Sequence, residues 1–214
     1  MRREAVAAGR GVMEIVLASA SPRRQELLLA LVDEFEALPS DVPEPLGEDP
    51  RADAIALAEA KARAVERLRP GALVIGSDTV VNDEVVSYGK PESASDAIAM
   101  LRSLRGRTHS VLTGVAVVFE GHADTDVSEA RITLTNLTDE QVAAYVASGR
   151  PLDKAGAYAI QDEDVPTVSK RDGCYCCTMG LPLWRLKRML EAHGVACHNP
   201  ADTLPQCRDC PERD

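Results

Sequence analysis

The chain has 214 residues, 45% of them apolar, and a formal net charge of -10. That is enough apolar material for one domain, or two closely joined lobes, around a buried core, and it excludes a wholly disordered chain. No run of about eighteen apolar residues is present to span a membrane, the acidic charge argues against a broad nucleic-acid surface, and residues 1–13 lack a signal peptide's apolar centre, so a cytoplasmic protein is expected.

Residues 1–12, with Arg2, Arg3, Gly9, Arg10 and Gly11, show no periodicity and read as a disordered extension. Residues 14–18 read as a short buried strand running into Ser19-Ala20-Ser21-Pro22-Arg23-Arg24, where a serine caps and Pro22 opens a helix to Leu31. Residues 35–38 suggest the next strand. The acidic, proline-broken stretch 39–50, with Asp41, Glu44, Glu48 and Asp49, is read as a loop and a candidate lid. Asp49 and Pro50 then open an alanine-rich helix to about Leu68, striped by Ile55, Leu57, Ala58, Ala62 and Val65. Residues 72–75 form a continuous apolar run of the kind buried in an α/β sheet. That strand is expected to deliver Gly76-Ser77-Asp78-Thr79 at its carboxyl end, where ligands gather.

Residues 80–87 read as a hairpin turning at Asn82-Asp83, and a helix follows from about Ser93 or Ser95 to Leu104. Residues 108–119 and 126–137 are rich in Val, Thr and Ile and read as two long antiparallel strands with a polar connection at 120–124. The order of elements implies an α/β fold with a mixed sheet. Thr138 and Gln141 form a capping box for a helix ending at Ser148 and Gly149. Extended segments are expected near residues 158–161 and 165–170, and a last helix over residues 182–193. Trp184 and His109 read as core or strand residues.

The turn Ser-Pro-Arg-Arg gathers hydroxyls, guanidinium groups and a helix amino terminus, all of which favour a phosphate; equally, Ser21 and Pro22 cap a helix and the arginines are solvated. Asp78 suits a metal or a water to be activated, or is a turn residue. Lys61 and Lys90 read as surface lysines and Glu44 as a loop carboxylate when each is taken alone. Together they supply what phosphoryl cleavage needs: cations for phosphates, carboxylates for a hard metal, and a base. Neither a Walker-type phosphate loop nor a Gly-x-Gly-x-x-Gly helix start is present, which argues against both of those nucleotide folds.

The stretch from Leu17 to Leu28, LASASPRRQELL, strongly resembles the opening signature of the Maf family. Further matches follow in order: the Glu44 loop after Ser40-Asp41, Glu59-Ala60-Lys61-Ala62, Gly76-Ser77-Asp78-Thr79-Val80-Val81, Gly89-Lys90-Pro91, LRGRTHSVLTGV from Leu104 to Val115, PLDKAGAYAIQ from Pro151 to Gln161, and Gly180-Leu181-Pro182-Leu183. The likeness covers roughly residues 13–194, leaving 195–214 as a cysteine-containing tail. It implies an α/β fold like that of inosine triphosphate pyrophosphatases, two lobes around a mixed sheet with a central cleft, and a homodimer. It also implies hydrolysis of a nucleoside triphosphate between its α and β phosphates, with a divalent metal such as Mg, Mn or Co. In that resemblance Ser19, Arg23, Arg24, Lys61 and Lys90 bind phosphates. Glu44 and Asp78 bind the metal and activate water, with Asp78 the first choice as general base.

Arg24, Thr79 and Gln161 resemble the branch that acts on dTTP and UTP, and Gln161 carries the amide donor and acceptor that suit a pyrimidine edge. A different implication comes from relatives associated with arrest of cell division, namely a nucleotide-binding regulator with little turnover. The sequence departs from the family at Asp162-Glu163-Asp164, where glycine is usual, and at Cys174–Met179, where an asparagine is usual. The acidic run reads as a solvated turn. All six cysteines lie beyond residue 170. Cys197, His198, Cys207 and Cys210 offer four soft ligands for a structural zinc; reduced thiols in a mobile tail, or bridges back to residues 174–177, are the alternatives.

Overall fold

The computed structural model describes residues 13–162 and 165–213. The expected extension over residues 1–12 lies outside them, as do Glu163 and Asp164 of the acidic turn.

Seven strands make one mixed sheet. β1 (Ile15–Leu17) runs parallel to β2 (Glu36–Ala37) on one side and to β3 (Leu73–Asn82) on the other. From β3 the sheet becomes antiparallel through β5 (Thr108–Phe119), β6 (His122–Leu134) and β7 (Val168–Gly173), and the short β4 (Ser87–Tyr88) pairs with the end of β3. The helices are α1 (Pro22–Leu28), α2 (Pro50–Glu66), α3 (Ala94–Leu104), α4 (Asp139–Ala147), α5 (Tyr175–Thr178), α6 (Leu183–Ala192) and α7 (Pro200–Thr203). This is the α/β, mixed-sheet architecture expected from the sequence.

The apolar run at β1 is continuous because both of its faces are covered. Leu17 points into a core shared with Leu27, Leu28, Leu183 and Leu186, whereas Val16 points to the opposite face, against Ala58, Ala62 and Val65 of α2. A third core lies at the far end, where α3 and α4 pack Leu101, Leu104, Val142 and Tyr145 against Ile132 of β6.

Helix α2 starts where the sequence says it should. Asp49 caps it by accepting the Arg51 and Ala52 N–H groups, with Pro50 at its first position. Its crossing of the sheet is unusually close. A β-carbon on Gly76 would stand 2.1 Å from the Ala58 carbonyl oxygen, and one on Gly114 2.1 Å from that of Ala54. Bare backbone at these two positions lets helix and sheet touch directly.

Three expectations are corrected. β3 does not end at residue 75: it pairs with β5 without a break to Asn82, so Asp78 and Thr79 lie in mid-strand rather than at a carboxyl end. Gly76 there serves the helix crossing. The polar stretch 122–125 is strand, paired with residues 116–119. Its turn is the dipeptide Glu120-Gly121, with φ of 50° and 81°, the left-handed pair that a tight hairpin requires. Residues 158–161 form no strand.

The tail folds onto the body. Ala201, Cys207 and Cys210 are buried in the same core as Leu183 and Leu186, and Trp184 Nε1 donates to the Cys207 carbonyl at 3.1 Å. Glu212 accepts from Ser128 at 2.9 Å and from Arg185 at 2.7 Å.

Candidate active site

The cleft lies where β1, α1 and the middle of β3 meet. Alternation along β3 sorts its residues: Gly76, Asp78 and Val80 face α2, whereas Ser77 and Thr79 face the opposite layer. Ser19 is placed beside them because β1 continues its parallel pairing, with the Ala18 N–H donating to the Ile75 carbonyl at 2.8 Å.

Lys61 is the centre of the site. It stands one helical turn beyond Leu57 and Ala58, so it shares their sheet-facing stripe and is only 5% exposed. Its Nζ lies 2.5 Å from Asp78 Oδ1 and 2.6 Å from Glu44 Oε1. Asp78 is itself 6% exposed. Burying such a charge is tolerated because it is paired. Glu44 reaches in from the loop before α2, and its other oxygen lies 3.6 Å from Lys90 Nζ. Burial acts to raise the Glu44 pKa, but Lys61, Lys90 and Arg24 outweigh it and hold the carboxyl below its ordinary value.

Arg24 forms the second half. Ser21 caps α1 by accepting the Arg24 N–H, and Pro22 occupies the first position. The guanidinium then forks three ways: Nε to the Gly180 carbonyl at 2.9 Å, Nη1 to Ser19 Oγ at 3.4 Å, and Nη2 to Thr79 Oγ1 at 3.3 Å. Burial draws its pKa down, and Asp78 and Glu44 act in the opposite direction; an arginine stays charged regardless. Thr79 Oγ1 lies 3.0 Å from Thr113 Oγ1, which donates to the Cys177 carbonyl at 2.7 Å. Since that Thr113 proton is committed, Thr79 is the donor between the two hydroxyls. Arg23 extends to Asp153 at 3.3 Å.

Ser19, Arg23, Arg24, Glu44, Lys61, Asp78, Thr79, Lys90 and Gln161 all line one cleft of about 490 Å³, within the usual range for small-molecule sites. The sequence reading gave no role to Asp153 and Lys154, which line the same cleft. Lys154 is mostly buried and donates to Asp153 at 2.6 Å and to the Arg150 carbonyl. Its place in the Pro-Leu-Asp-Lys-Ala-Gly stretch was the available signal.

The expected zinc set is not brought together. His198 turns to Asp33 at 2.9 Å, whereas Cys207 turns inward to Cys176 and Cys210 to Cys174. The apolar pull of the core on the two thiols separates them from Cys197 and His198. Among the described residues no group of three or more His, Cys, Asp or Glu is arranged to hold a metal ion.

A cleft lined by five cationic side chains and three carboxylates beside the hydroxyls of Ser19 and Thr79 defines an anion site with an acidic centre. The model of the Maf-like protein family matches residues 14–193. The chain belongs to that family. It is 44% identical over 204 residues to a dTTP/UTP pyrophosphatase of Thermomicrobium roseum, covering 93% of this chain and 94% of the relative. It is 47% identical over 186 residues to one of Moorella thermoacetica, with 85% and 96% covered, and 39% identical over 184 residues to one of Bacillus pumilus, with 85% and 97% covered.

Proposed function

We propose that this chain is a metal-dependent nucleoside triphosphate pyrophosphatase that hydrolyses dTTP and UTP to the monophosphate and pyrophosphate. The observation that carries the reading is Lys61 held between Asp78 and Glu44 in the same cleft as Arg24 and Lys90. Relatives named for this activity, matched over nearly their whole length, support the substrate class.

Arg23, Arg24, Lys61 and Lys90, with the Ser19 hydroxyl, bind the phosphates. Asp78 accepts the proton of the attacking water; its depth in the cleft excludes competing solvent, and Lys61 fixes its orientation. Thr79 and Gln161 face the nucleoside, and Gln161 reads the pyrimidine edge through its amide.

Asp78 and Glu44 would hold the divalent cation, because the two carboxylates already converge on one positive group. Two carboxylates leave most of a hard cation's ligand positions to phosphate oxygens and water. Such an ion, when bound, supplies charge neutralisation at the phosphates being cleaved.

The test is pyrophosphate release from dTTP, UTP, CTP, 7-methyl-GTP and inosine triphosphate with Mg, Mn or Co. Turnover of dTTP or UTP that Asp78→Asn lowers by at least about a thousandfold, with binding retained, is the expected result. Nucleotide binding with no turnover of any of the five would overturn the enzyme reading in favour of a regulator.

A further inference from the structure

The segment that carries Gln161 is fixed from outside the cleft. Tyr158, Ala159, Ile160 and Gln161 line the cleft one after another, yet they belong to no strand or helix, so no ladder of backbone bonds sets their course. The chain is pinned on either side instead. Before Gln161, the Tyr158 hydroxyl meets His109 Nε2 at 2.7 Å and the Ala159 carbonyl accepts the Thr167 hydroxyl at 2.9 Å, both contacts being buried. After it, the Asp162 carboxylate accepts the Tyr145 hydroxyl, and the Asp162 carbonyl accepts the Val165 N–H at 3.2 Å. The Gln161 amide itself makes no hydrogen bond among the described residues.

Tyr145 is a firm anchor for this bond. It projects from α4 into the core that holds Leu101, Leu104 and Val142 and is fully buried there, so packing locks its two side-chain torsions. The Arg150 guanidinium carbon lies 5.7 Å from its ring centroid, within cation–π range. Burial first, and then the carboxylate, raise the Tyr145 pKa, so the phenol keeps its proton and is the donor. A hydroxyl donating to a carboxylate is among the stronger hydrogen bonds a side chain makes.

We infer that Tyr145 and Asp162 are positioning residues for base recognition, their hydrogen bond holding the backbone of Ile160 and Gln161 so that the Gln161 amide meets a pyrimidine edge. This rests on the reading of Gln161 as the residue that faces the base. Without the bond, the ligand itself must order Gln161, and freezing the backbone of one residue weakens binding about tenfold. The loss falls on one side of the cleft only. Arg23, Arg24 and Lys61 come from α1 and α2 and are held by other partners, so a ligand made of phosphate alone is indifferent to the Tyr145 bond.

The experiment is calorimetric titration of the full chain with two uncleaved ligands in the presence of magnesium. One is α,β-imido-UTP, which has the base; the other is inorganic pyrophosphate, which has none. Tyr145→Phe and Asp162→Ala should each weaken the nucleotide about tenfold and leave pyrophosphate within about twofold of wild type. The double variant should be no weaker than either single one, as residues acting through one bond require. Asp162→Asn, whose amide oxygen still accepts the phenol proton, should stay within about threefold of wild type. Should Tyr145→Phe fold poorly in a thermal melt, the two Asp162 variants, which alter a half-buried side chain, carry the test. Equal weakening of both ligands, no weakening of either, additive losses in the double variant, or failure of asparagine to rescue would each overturn the inference. A wild type that binds the nucleotide no more tightly than pyrophosphate would overturn it too. A wild type that binds the nucleotide analogue tightly and hydrolyses no triphosphate would instead overturn the pyrophosphatase reading, while the tenfold effect of the two variants would still support the inference.

Discussion

Arg24 shows what a guanidinium does here that an ammonium cannot. Its three donors engage Gly180, Ser19 and Thr79 at once, so the turn before α6, the end of β1 and the middle of β3 are held by one planar group. Arg24→Lys keeps the charge but loses the fork. A rise in KM of about tenfold or more, with the fold intact by circular dichroism, is expected from losing charge-assisted hydrogen bonds. His109 makes a different prediction. It is 1% exposed, its Nε2 lies 2.7 Å from the Tyr158 hydroxyl, its Nδ1 has no partner, and burial lowers its pKa from 6.5 to about 4. Between those two values the unfolded chain binds more protons than the folded one, so stability is undiminished above pH 6.5 and falls as the pH drops toward 4. At about 1.4 kcal/mol per pH unit the loss attributable to this ring reaches about 3 kcal/mol. Urea unfolding of wild type and His109→Gln from pH 7 to 4.5 should show the variant losing distinctly less. That Ser19, Arg23 and Arg24 line one cleft was legible because they are neighbours in sequence and share one turn. Lys61 read as a surface residue until its helical position placed it on the buried stripe, and the Gly180 carbonyl carries no signal in a side chain at all.

At the level of elements, the packing of α2 over β3 and β5 sets how deep Asp78 sits. Gly114→Ala places a methyl carbon against the Ala54 carbonyl, where a β-carbon would stand at 2.1 Å. The helix must lift, and a loss of about 3 kcal/mol or more in denaturant unfolding is expected, together with lower turnover as Lys61 moves off Asp78. Thr138 gives a milder case. It caps α4 reciprocally with Gln141, and Thr138→Ala should cost about 1 kcal/mol with activity unchanged. Helix starts were legible because Asp49-Pro50, Ser93 and Thr138 act on donors within three residues. Strand extents were less so. The run of β3 past Gly76 depends on β5, and the start of β6 at His122 depends on a Glu-Gly turn that lacks the usual asparagine or aspartate.

Across the whole molecule, the last residues complete the core under Trp184 and Leu186. Removing residues 195–213 uncovers Trp184, strips Glu212 from Ser128 and Arg185, and exposes Cys174 and Cys176. A drop in Tm of roughly 10 °C, corresponding to several kcal/mol for a chain of this size, is expected in a thermal melt. Among the described residues no helix is long and apolar enough to cross a membrane.

The bond from Arg24 to Gly180 joins residues 156 positions apart, and this bears on when the site comes into being during synthesis. The amino-terminal motif emerges from the ribosome first, yet the Nε of its guanidinium, unlike the Nη groups that reach Ser19 and Thr79, has no acceptor until the segment beyond β7 has left the exit tunnel. A nascent chain halted before Gly180 therefore carries nearly every cleft residue without the cleft. Pyrimidine nucleotide should protect such an arrested chain from protease no better than buffer does, and protection should appear abruptly once α6 is free to dock.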